Sequence, residues 1–399
     1  MKILKENKSS IILLLSILLG WLVGIGFGEK ASLLKPLADL FLNLLFVSIV
    51  PMVAISIISS LASMGSTKTL AKILIVMFIT FIITGIIAGV YMLVVTGIFD
   101  PSKGANISFD QTVDVGQTNL DILAMFTVDD LYKLLSKENL MALIVISIIT
   151  GLALASVRDE AKGIIDIFNQ LMVLINKIIS YIMKLAPIGI GAYFATFIGE
   201  YGSSIVGPLA RTILIFFVAG FVYFFLMNTI QAFLGGGMSG IKKFWKHTWP
   251  AFFTAFSTSS SAAALPVNLI AGKRAGVRDD INNLVIPLGA NLHKDGTVMI
   301  QIIKISLLCG IFDIDLTIKG MLLAILVSFI AATVAGAVPG GGYTAEILLV
   351  STFSLPQETI PIMVLIATVV DSIATGINTT TDLSQAMLIE RLVNLKDNN

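Results

Sequence analysis

Two long apolar segments are each interrupted at their middle by residues that break or weaken a helix. Residues 244–272 contain the serine-rich run 258–261, and residues 318–352 contain the Pro-Gly-Gly-Gly run 339–342. Non-helical backbone survives at membrane depth only where it is buried in protein or lines a cavity. Each segment is therefore predicted to be a re-entrant hairpin that enters and leaves the membrane on one side. Paired interrupted segments of an internal repeat are typical of a binding site near the middle of the bilayer.

Uninterrupted apolar stretches make up most of the remaining chain. About 20 apolar residues are needed for a helix to cross the hydrocarbon core of a bilayer. The candidate spans are residues 11–27, 40–62, 71–98, 140–156, 170–198, 205–234, 280–309 and 359–389. The 399-residue chain is 56% hydrophobic and only 13% charged, too apolar for a soluble fold of this size. Its long stretches also differ from the short alternating strands of an outer-membrane barrel. The expected fold class is an all-α integral membrane protein.

Charge and composition argue against several classes of function. The formal net charge of +1 gives no electrostatic support for a nucleic-acid partner. The single cysteine, Cys309, excludes an internal disulfide bond and a cysteine-based metal cage. With only two histidines in the chain, a metalloenzyme is not expected.

The basic residues predict the orientation of the chain in the membrane. With cytoplasmic termini, the cytoplasmic loops carry most of the lysines and arginines that flank the spans. These are Lys68, Lys72, Arg158, Lys162, Lys242, Lys243, Lys246, Lys273, Arg274 and Arg278. The opposite side carries Lys30, Lys35 and Lys103, and many acidic residues of the polar loop 100–138. We therefore expect a multi-pass protein of the plasma (inner) membrane with both termini in the cytoplasm.

The interruption in each hairpin supplies groups that can bind a small polar molecule. Ser260 and Ser261 offer hydroxyls and freed N–H groups that suit a carboxylate, although the run can also be a serine-rich packing surface. The glycine run, from Val338 to Gly342, can bring backbone carbonyls close to a ligand, or it can be an ordinary loop. Glu346 lies beyond it, either at the site or as a solvated residue at its mouth.

Charged residues also lie inside an apolar span, where ionisable side chains are costly and usually functional. His293, Lys294 and Asp295 follow one another in the span 280–309, and Thr297 comes next but one. Asp295 can bind a cation directly. The alternative is that Lys294 and Asp295 neutralise each other.

The last span carries a polar stripe. Asp371, Thr375, Asn378 and Asp382 are separated by four, three and four residues, which places them on one face of a helix. An acidic stripe at membrane depth indicates a polar interior, and function is favoured over structural polar packing.

Five motifs, in this order along the chain, resemble the dicarboxylate/amino acid:cation symporter family, which includes the glutamate transporters and bacterial serine/threonine transporters. They are 186–189 (Ala-Pro-Ile-Gly), the serine-rich tip 258–266, 287–290 followed by 295–297, the run 338–340, and the stripe 371–382. The resemblance covers nearly the whole chain.

The resemblance implies eight transmembrane helices and two re-entrant hairpins with inverted repeats, assembled as a homotrimer in the lipid bilayer and working as an elevator. Residues 1–72 would form scaffold helices 1 and 2, and residues 73–110 transport-domain helix 3 with an external loop. Residues 111–203 would form scaffold helices 4 and 5. Residues 204–399 would form transport-domain helix 6, hairpin 1, helix 7, hairpin 2 and helix 8.

The resemblance also implies roles for single residues. Asp371 would bind the ammonium group of an amino acid, while Ser261, Asn378 and the hairpin backbones would hold its carboxylate. The expected substrate-binding set is Ser260, Ser261, Thr297, Val338, Gly342, Asp371, Thr375 and Asn378. The expected sodium ligands are Thr84, Asp295, Asn378 and Asp382.

The chain departs from the family pattern at the positions that decide substrate and ion. Ala374 and Ser259 stand where acidic-substrate members carry an arginine, which argues against glutamate and aspartate. Gly85 replaces a serine that would help complete a sodium site. His293 and Lys294 replace an Asn-Met pair, so we expect them to take part in coupling, with Lys294 as a tethered cation in place of a sodium ion. The alternative is that Lys294 snorkels to the surface and sodium coupling stays intact.

The sequence therefore predicts secondary active transport of an amino acid that is neutral rather than acidic. Serine, threonine and alanine fit a small site, and cystine fits if Glu346 meets a second ammonium group. The alternatives are symport of a dicarboxylate or acidic amino acid, a channel, and an intramembrane serine hydrolase using Ser260 and His293. The hydrolase lacks a nucleophile elbow. The coupling ion would be Na⁺ or H⁺, and no other cofactor is expected.

Overall fold

The computed structural model describes residues 8–62, 68–105, 127–136, 139–182, 184–201, 206–336 and 341–397. In these residues the long regular elements are all α-helices, so the expectation of an all-helical chain is confirmed. They are α1 (Lys8–Phe27), α2 (Lys35–Ala62), α3 (Lys68–Ile98), α4 (Leu140–Ser156), α5 (Lys162–Ile182), α6 (Ala186–Tyr201), α7 (Val206–His247), α8 (Trp249–Thr258), α9 (Ser261–Ala275), α10 (Asp279–Leu292), α11 (Asp295–Ile311), α12 (Ile318–Gly336), α13 (Gly341–Thr352) and α14 (Ile360–Asp397).

The outer surface of the helices is apolar, as a lipid environment requires. Helical segments of the described part that are long and apolar enough to cross a membrane are Leu15–Phe41, Lys72–Ile98, Lys162–Ile182, Gly207–His247 and Gln357–Val393. On α3, a stripe of isoleucines is exposed at helical spacing: Ile75, Ile79, Ile82, Ile83 and Ile86. Apolar area of this extent is not left facing water in a soluble protein, so the chain is a multi-pass membrane protein.

The helices pack in two groups. The last helix, α14, is the centre of one group, and its side chains at Ile373, Ala374, Ile377 and Leu383 are completely buried. Its neighbours in this group are α3 and α7 to α11. In the other group α1 packs on α6, and α2 packs on α4, α5 and α6. Few contacts join the groups in the described residues.

The prediction of a single span over 170–198 is wrong, because α5 ends at Ile182 and α6 begins at Ala186. Pro187 is the second residue of α6. Proline lacks an N–H donor and disfavours helical backbone in the residue before it, so it starts a helix here and cannot continue one.

Two other predicted spans differ from the helices of the structure: one is divided in two, and the other is longer and kinked. The span 280–309 is divided at His293 and Lys294. The span 205–234 continues to His247 as α7, with a kink at Gly236 and Gly237. Gly237 has a φ of 60°, a left-handed conformation that glycine adopts without strain.

Both interrupted segments form two-helix hairpins. In the first, α8 ends where Ser259 takes a left-handed conformation, and the Ser260 hydroxyl caps α9 by accepting the Ala263 N–H at 3.2 Å. In the second, α12 packs against α13. The residues that join them, 337–340, lie outside the described residues.

Small residues let α1 approach α6 closely. Gly20 and Gly24 of α1 lie against the backbone of Gly191 and Ala195 of α6. The four-residue spacing places each pair on one helix face, which is the packing that holds helices together in lipid.

We predict that Gly24→Val destabilises the protein. A Cβ at Gly24 would lie 2.7 Å from both the Ala195 carbonyl oxygen and the Ile198 Cβ, and overpacking of this kind costs about 1–3 kcal/mol. Gly26→Val on the same helix is the control, because no atom lies within 4 Å of its Cβ position. Thermal unfolding in detergent is the measurement. Equal melting temperatures for the two variants would show that this contact does not hold α1 in place.

Candidate functional site

The buried polar side chains meet where the helical run 279–311 is broken. His293 and Lys294 have non-helical backbone and separate α10 from α11. Both side chains are buried. The break leaves Asp295 in the first turn of α11, where the partial positive charge of the helix N-terminus favours an anion.

The imidazole of His293 lies between two carboxylates. Its Nδ1 is 3.1 Å from Asp382 Oδ1, and its Nε2 is 3.2 Å from Asp295 Oδ1. The hydroxyl of Thr84 is 2.9 Å from the same Nε2, and the ring stacks on Phe81 with centroids 4.3 Å apart. A ring nitrogen carries at most one hydrogen, so Nε2 can donate either to Asp295 or to Thr84. These contacts join α3, α14 and the break between α10 and α11.

Asp295 has a second partner on another helix. The hydroxyl of Tyr223 in α7 donates to Asp295 Oδ2 at 2.8 Å, and both side chains are buried. We use "histidine cluster" for His293, Thr84, Asp295, Asp382 and Tyr223. The side chains of the cluster come from α3, α7, α11, α14 and the break between α10 and α11. Their contacts therefore hold the central helices in one arrangement.

Asn378 connects α14 to the start of α11. Its Oδ1 accepts the N–H of Gly296 at 2.8 Å, and its Nδ2 donates to the Thr297 hydroxyl at 3.0 Å. The first contact satisfies an N–H that the helix start leaves without a partner. A substrate carboxylate that used Asn378 would therefore meet a side chain already held in place.

Lys294 points towards the first hairpin. Its Nζ donates to the Ser261 hydroxyl at 3.1 Å, and its charge interacts with those of Asp371 and Asp382. Asp371 is partly buried and accepts a hydrogen bond from Thr375 at 3.3 Å. The structure thus brings Ser261, Lys294, Asp371 and Thr375 to one region beside Asn378.

Three other predicted substrate ligands remain: Ser260, Gly342 and Val338. The Ser260 hydroxyl caps α9. Among the described contacts, it has no hydrogen bond to another residue of the predicted substrate site. Gly342 lies in the first turn of α13. Val338 lies outside the described residues.

Sequence reasoning missed several buried side chains. Tyr223 and Phe81, which contact Asp295 and His293, are ordinary aromatic residues of apolar helices and give no signal. Lys304 is different: a lysine inside the apolar run of α11 is costly and should have been considered. It forms a buried ion pair with Glu346 of α13, so the ammonium that Glu346 meets in the structure belongs to the protein.

The side chains fit a sodium ion only in part. Hard cations take oxygen ligands, and Asp382 Oδ2 is a buried oxygen with no hydrogen-bond partner in the described residues. Asp295 Oδ1 likewise has no hydrogen-bond partner in the described residues, so the two carboxylates offer oxygen ligands to a small cation. The imidazole of His293, however, fills the space between Asp382 and Asp295. In the part of the chain that the structure describes, no group of three or more His, Cys, Asp or Glu side chains is arranged to hold a metal ion.

Broken helices, buried acids and a polar region reached by a hairpin define a class of protein, the secondary transporters of the membrane. The chain belongs to the sodium:dicarboxylate symporter family, whose model matches residues 10–392. The family resemblance expected from the five motifs is thereby confirmed.

The chain is similar to several curated transporters along most of its length. It is 28% identical to a C4-dicarboxylate transport protein of Bacillus subtilis over 86% of this chain and 82% of the relative. It is 26% identical to a proton/glutamate-aspartate symporter of the same organism, over 92% and 90%. A proton/sodium-glutamate symport protein is 25% identical over 94% and 90%. The chain is accordingly a cation-coupled symporter and not an enzyme, so the hydrolase alternative is dropped. Na⁺ or H⁺ is consistent with the family as coupling ion.

We predict that Gly289→Ala reduces transport by disturbing the histidine cluster. A Cβ at Gly289 would overlap the carboxylate of Asp382, which then moves away from His293. Gly207→Ala on α7 is the control, because its Cβ position has no neighbour within 4 Å. Initial uptake rates in proteoliposomes, normalised to folded protein, are the measurement. Native rates in Gly289→Ala would show that the position of Asp382 does not matter for transport.

Proposed function

We propose that this protein transports a small neutral amino acid by secondary active transport, with serine, threonine and alanine as the best-fitting substrates. The observation that carries the proposal is the placement of Asp371. This carboxylate lies beside Thr375, and Ala374, where a guanidinium would serve an acidic substrate, is completely buried and apolar. An ammonium group bound to Asp371 makes a charge-assisted hydrogen bond, which is stronger than a neutral one.

The second candidate is transport of a dicarboxylate or an acidic amino acid. The similar C4-dicarboxylate and glutamate-aspartate transporters favour it, and so does one contact. The ammonium of Lys294 lies at Ser261, where it can meet a substrate carboxylate. A neutral amino acid has a carboxylate for that position too, so the contact does not require a second one.

For the coupling ion, we infer that at least one sodium ion of the family cycle is replaced by the protein's own basic groups. The support is twofold: the His293 imidazole separates Asp382 from Asp295, and the Lys294 ammonium is buried within range of Asp371 and Asp382. The snorkelling alternative for Lys294 does not fit its burial, with 8% exposure. Transport would then be driven by a proton or by fewer sodium ions.

The mechanism we propose is an elevator in a homotrimer. The group of helices around α14 would be the moving transport domain, and α1, α2, α4, α5 and α6 the scaffold. The division at residues 1–72, 73–110, 111–203 and 204–399 is supported by the few contacts between the two groups. Eight membrane crossings, a plasma-membrane location and cytoplasmic termini belong to the same proposal.

Asp371→Asn is expected to reduce amino-acid uptake nearly to background. The amide cannot neutralise an ammonium group, and an unpaired charge in a dry site costs several kcal/mol. Asp279→Asn is the control, since Asp279 forms only an exposed ion pair with Lys273. Both variants should show native size-exclusion profiles. Uptake by Asp371→Asn at the native rate would remove the ammonium anchor from the account.

Neutral amino acids are expected to compete for uptake, and aspartate is not. Burying a second carboxylate without a free cation partner is unfavourable by several kcal/mol. A panel of unlabelled amino acids and dicarboxylates, each added in excess to a labelled-serine uptake assay, measures this. No saturable uptake of labelled serine, or competition by aspartate or succinate as strong as that by unlabelled serine, would favour the second candidate.

Lys294→Met is expected to create or increase sodium dependence. Removing the ammonium leaves oxygens that then need another cation. Uptake is compared in sodium and in choline, with and without an inward proton gradient, for the native protein and for this variant. Lys242→Met, an exposed lysine, is the control. Strict sodium dependence that is identical in the native protein and in Lys294→Met would contradict the inference.

A further inference from the structure

Lys304 and Glu346 form an ion pair in the interior of the protein. Lys304 lies on α11 and Glu346 on α13, the second arm of the second hairpin. Their side chains are 0% and 1% exposed. The adjacent residues on both helices are buried and apolar: Ile303, Ile305, Ala345 and Ile347. Burying two charges in such surroundings costs free energy, which indicates that the pair has a function besides packing.

The pair lies at the depth of the proposed substrate anchor. Thr297, Gln301 and Lys304 follow at helical spacing on one face of α11, and Thr297 contacts Asn378 of α14. Lys304 is seven residues beyond Thr297, and Asp371 is seven residues before Asn378, so on antiparallel helices both lie about 10 Å from that contact. This register places Lys304 and Asp371 at the same level of the contact between α11 and α14.

The bonding of the pair is asymmetric. The Lys304 ammonium contacts Glu346 Oε1 and lies 3.4 Å from the side-chain oxygen of Gln301. Glu346 Oε2, in contrast, is buried with no hydrogen-bond partner among the described residues. The Lys304 ammonium is thus paired with a carboxylate of the protein, while only one of the two oxygens of that carboxylate has a hydrogen-bond partner in the described residues.

We propose that the Lys304–Glu346 pair determines substrate charge: the Glu346 carboxylate takes the place beside Lys304 that the second carboxylate of an acidic substrate would otherwise occupy. Lys304 is the one basic residue of α11, and Glu346 neutralises it from the second hairpin. A zwitterion with one ammonium and one carboxylate then meets a site whose extra cation is already paired. The inference rests on the proposed function and names the residues that set its selectivity.

Charge removal gives opposite effects for the two partners. Glu346→Gln leaves Lys304 without its counter-ion, so the affinity for aspartate relative to serine should rise at least about tenfold. Lys304→Met leaves Glu346 unpaired, so the affinity for lysine relative to serine should rise instead. The double variant Lys304→Met/Glu346→Gln removes both charges, and both ratios should return to within about threefold of native.

Calorimetric titration of each purified full-length variant with serine, aspartate and lysine measures these ratios, and thermal unfolding shows that each variant is folded. If the pair only holds the hairpin in place, its loss would weaken the binding of all three ligands to the same extent. Unchanged ratios in the folded single variants would therefore overturn the proposal. The proposal is likewise overturned if both single variants fail to fold while the double variant folds, because the pair then serves stability alone. Failure of the proposed function is seen separately, as a preference of the native protein for aspartate over serine.

Discussion

The arrangement of the central helices depends on one interaction, the buried imidazole of His293 between Asp295 and Asp382. Two carboxylates at this depth repel each other and cannot both stay charged without a cation or donors beside them. The imidazole faces Asp382 through Nδ1, it can donate through Nε2 either to Asp295 or to Thr84, and the Tyr223 hydroxyl donates to the other oxygen of Asp295. Since removal of one partner from a buried charged pair costs about 3–5 kcal/mol, α3, α7, α10, α11 and α14 are held together at this point.

The same interaction links structure to ion coupling. In a family named for sodium, a ligand-rich space between two acids is a natural place for a metal ion. Here a nitrogen base fills it, and an ammonium group lies beside it at Ser261. In the coupling that we propose, these fixed basic groups would balance the charge of the two acids throughout the transport cycle, whereas a bound ion leaves and returns. The protein would then transport fewer ions with each substrate, and the driving force would be weaker.

Much of the fold followed from helical periodicity and from the cost of polar groups in lipid. The runs 258–261 and 339–342 predicted both hairpins, and the spacing of Asp371, Thr375, Asn378 and Asp382 predicted one polar face. The break between α5 and α6 was missed because hydropathy runs across Pro187. The partners of single side chains depend on helix register, which one sequence does not contain. For that reason Asp295 was expected with Thr84 around sodium, and in the structure they meet through His293. Lys304 and Glu346 lie 42 residues apart, so their pairing could not be predicted from the sequence either.

The most direct test of the account is binding of amino acids to the native protein without sodium. Purified protein is titrated calorimetrically with serine, threonine and alanine in choline chloride, and again after addition of sodium chloride. Because the protein's own basic groups compensate the buried acids, we predict saturable binding in choline, with an affinity that sodium changes little. Binding of these amino acids that appears only with sodium, or binding of aspartate alone, would contradict the account.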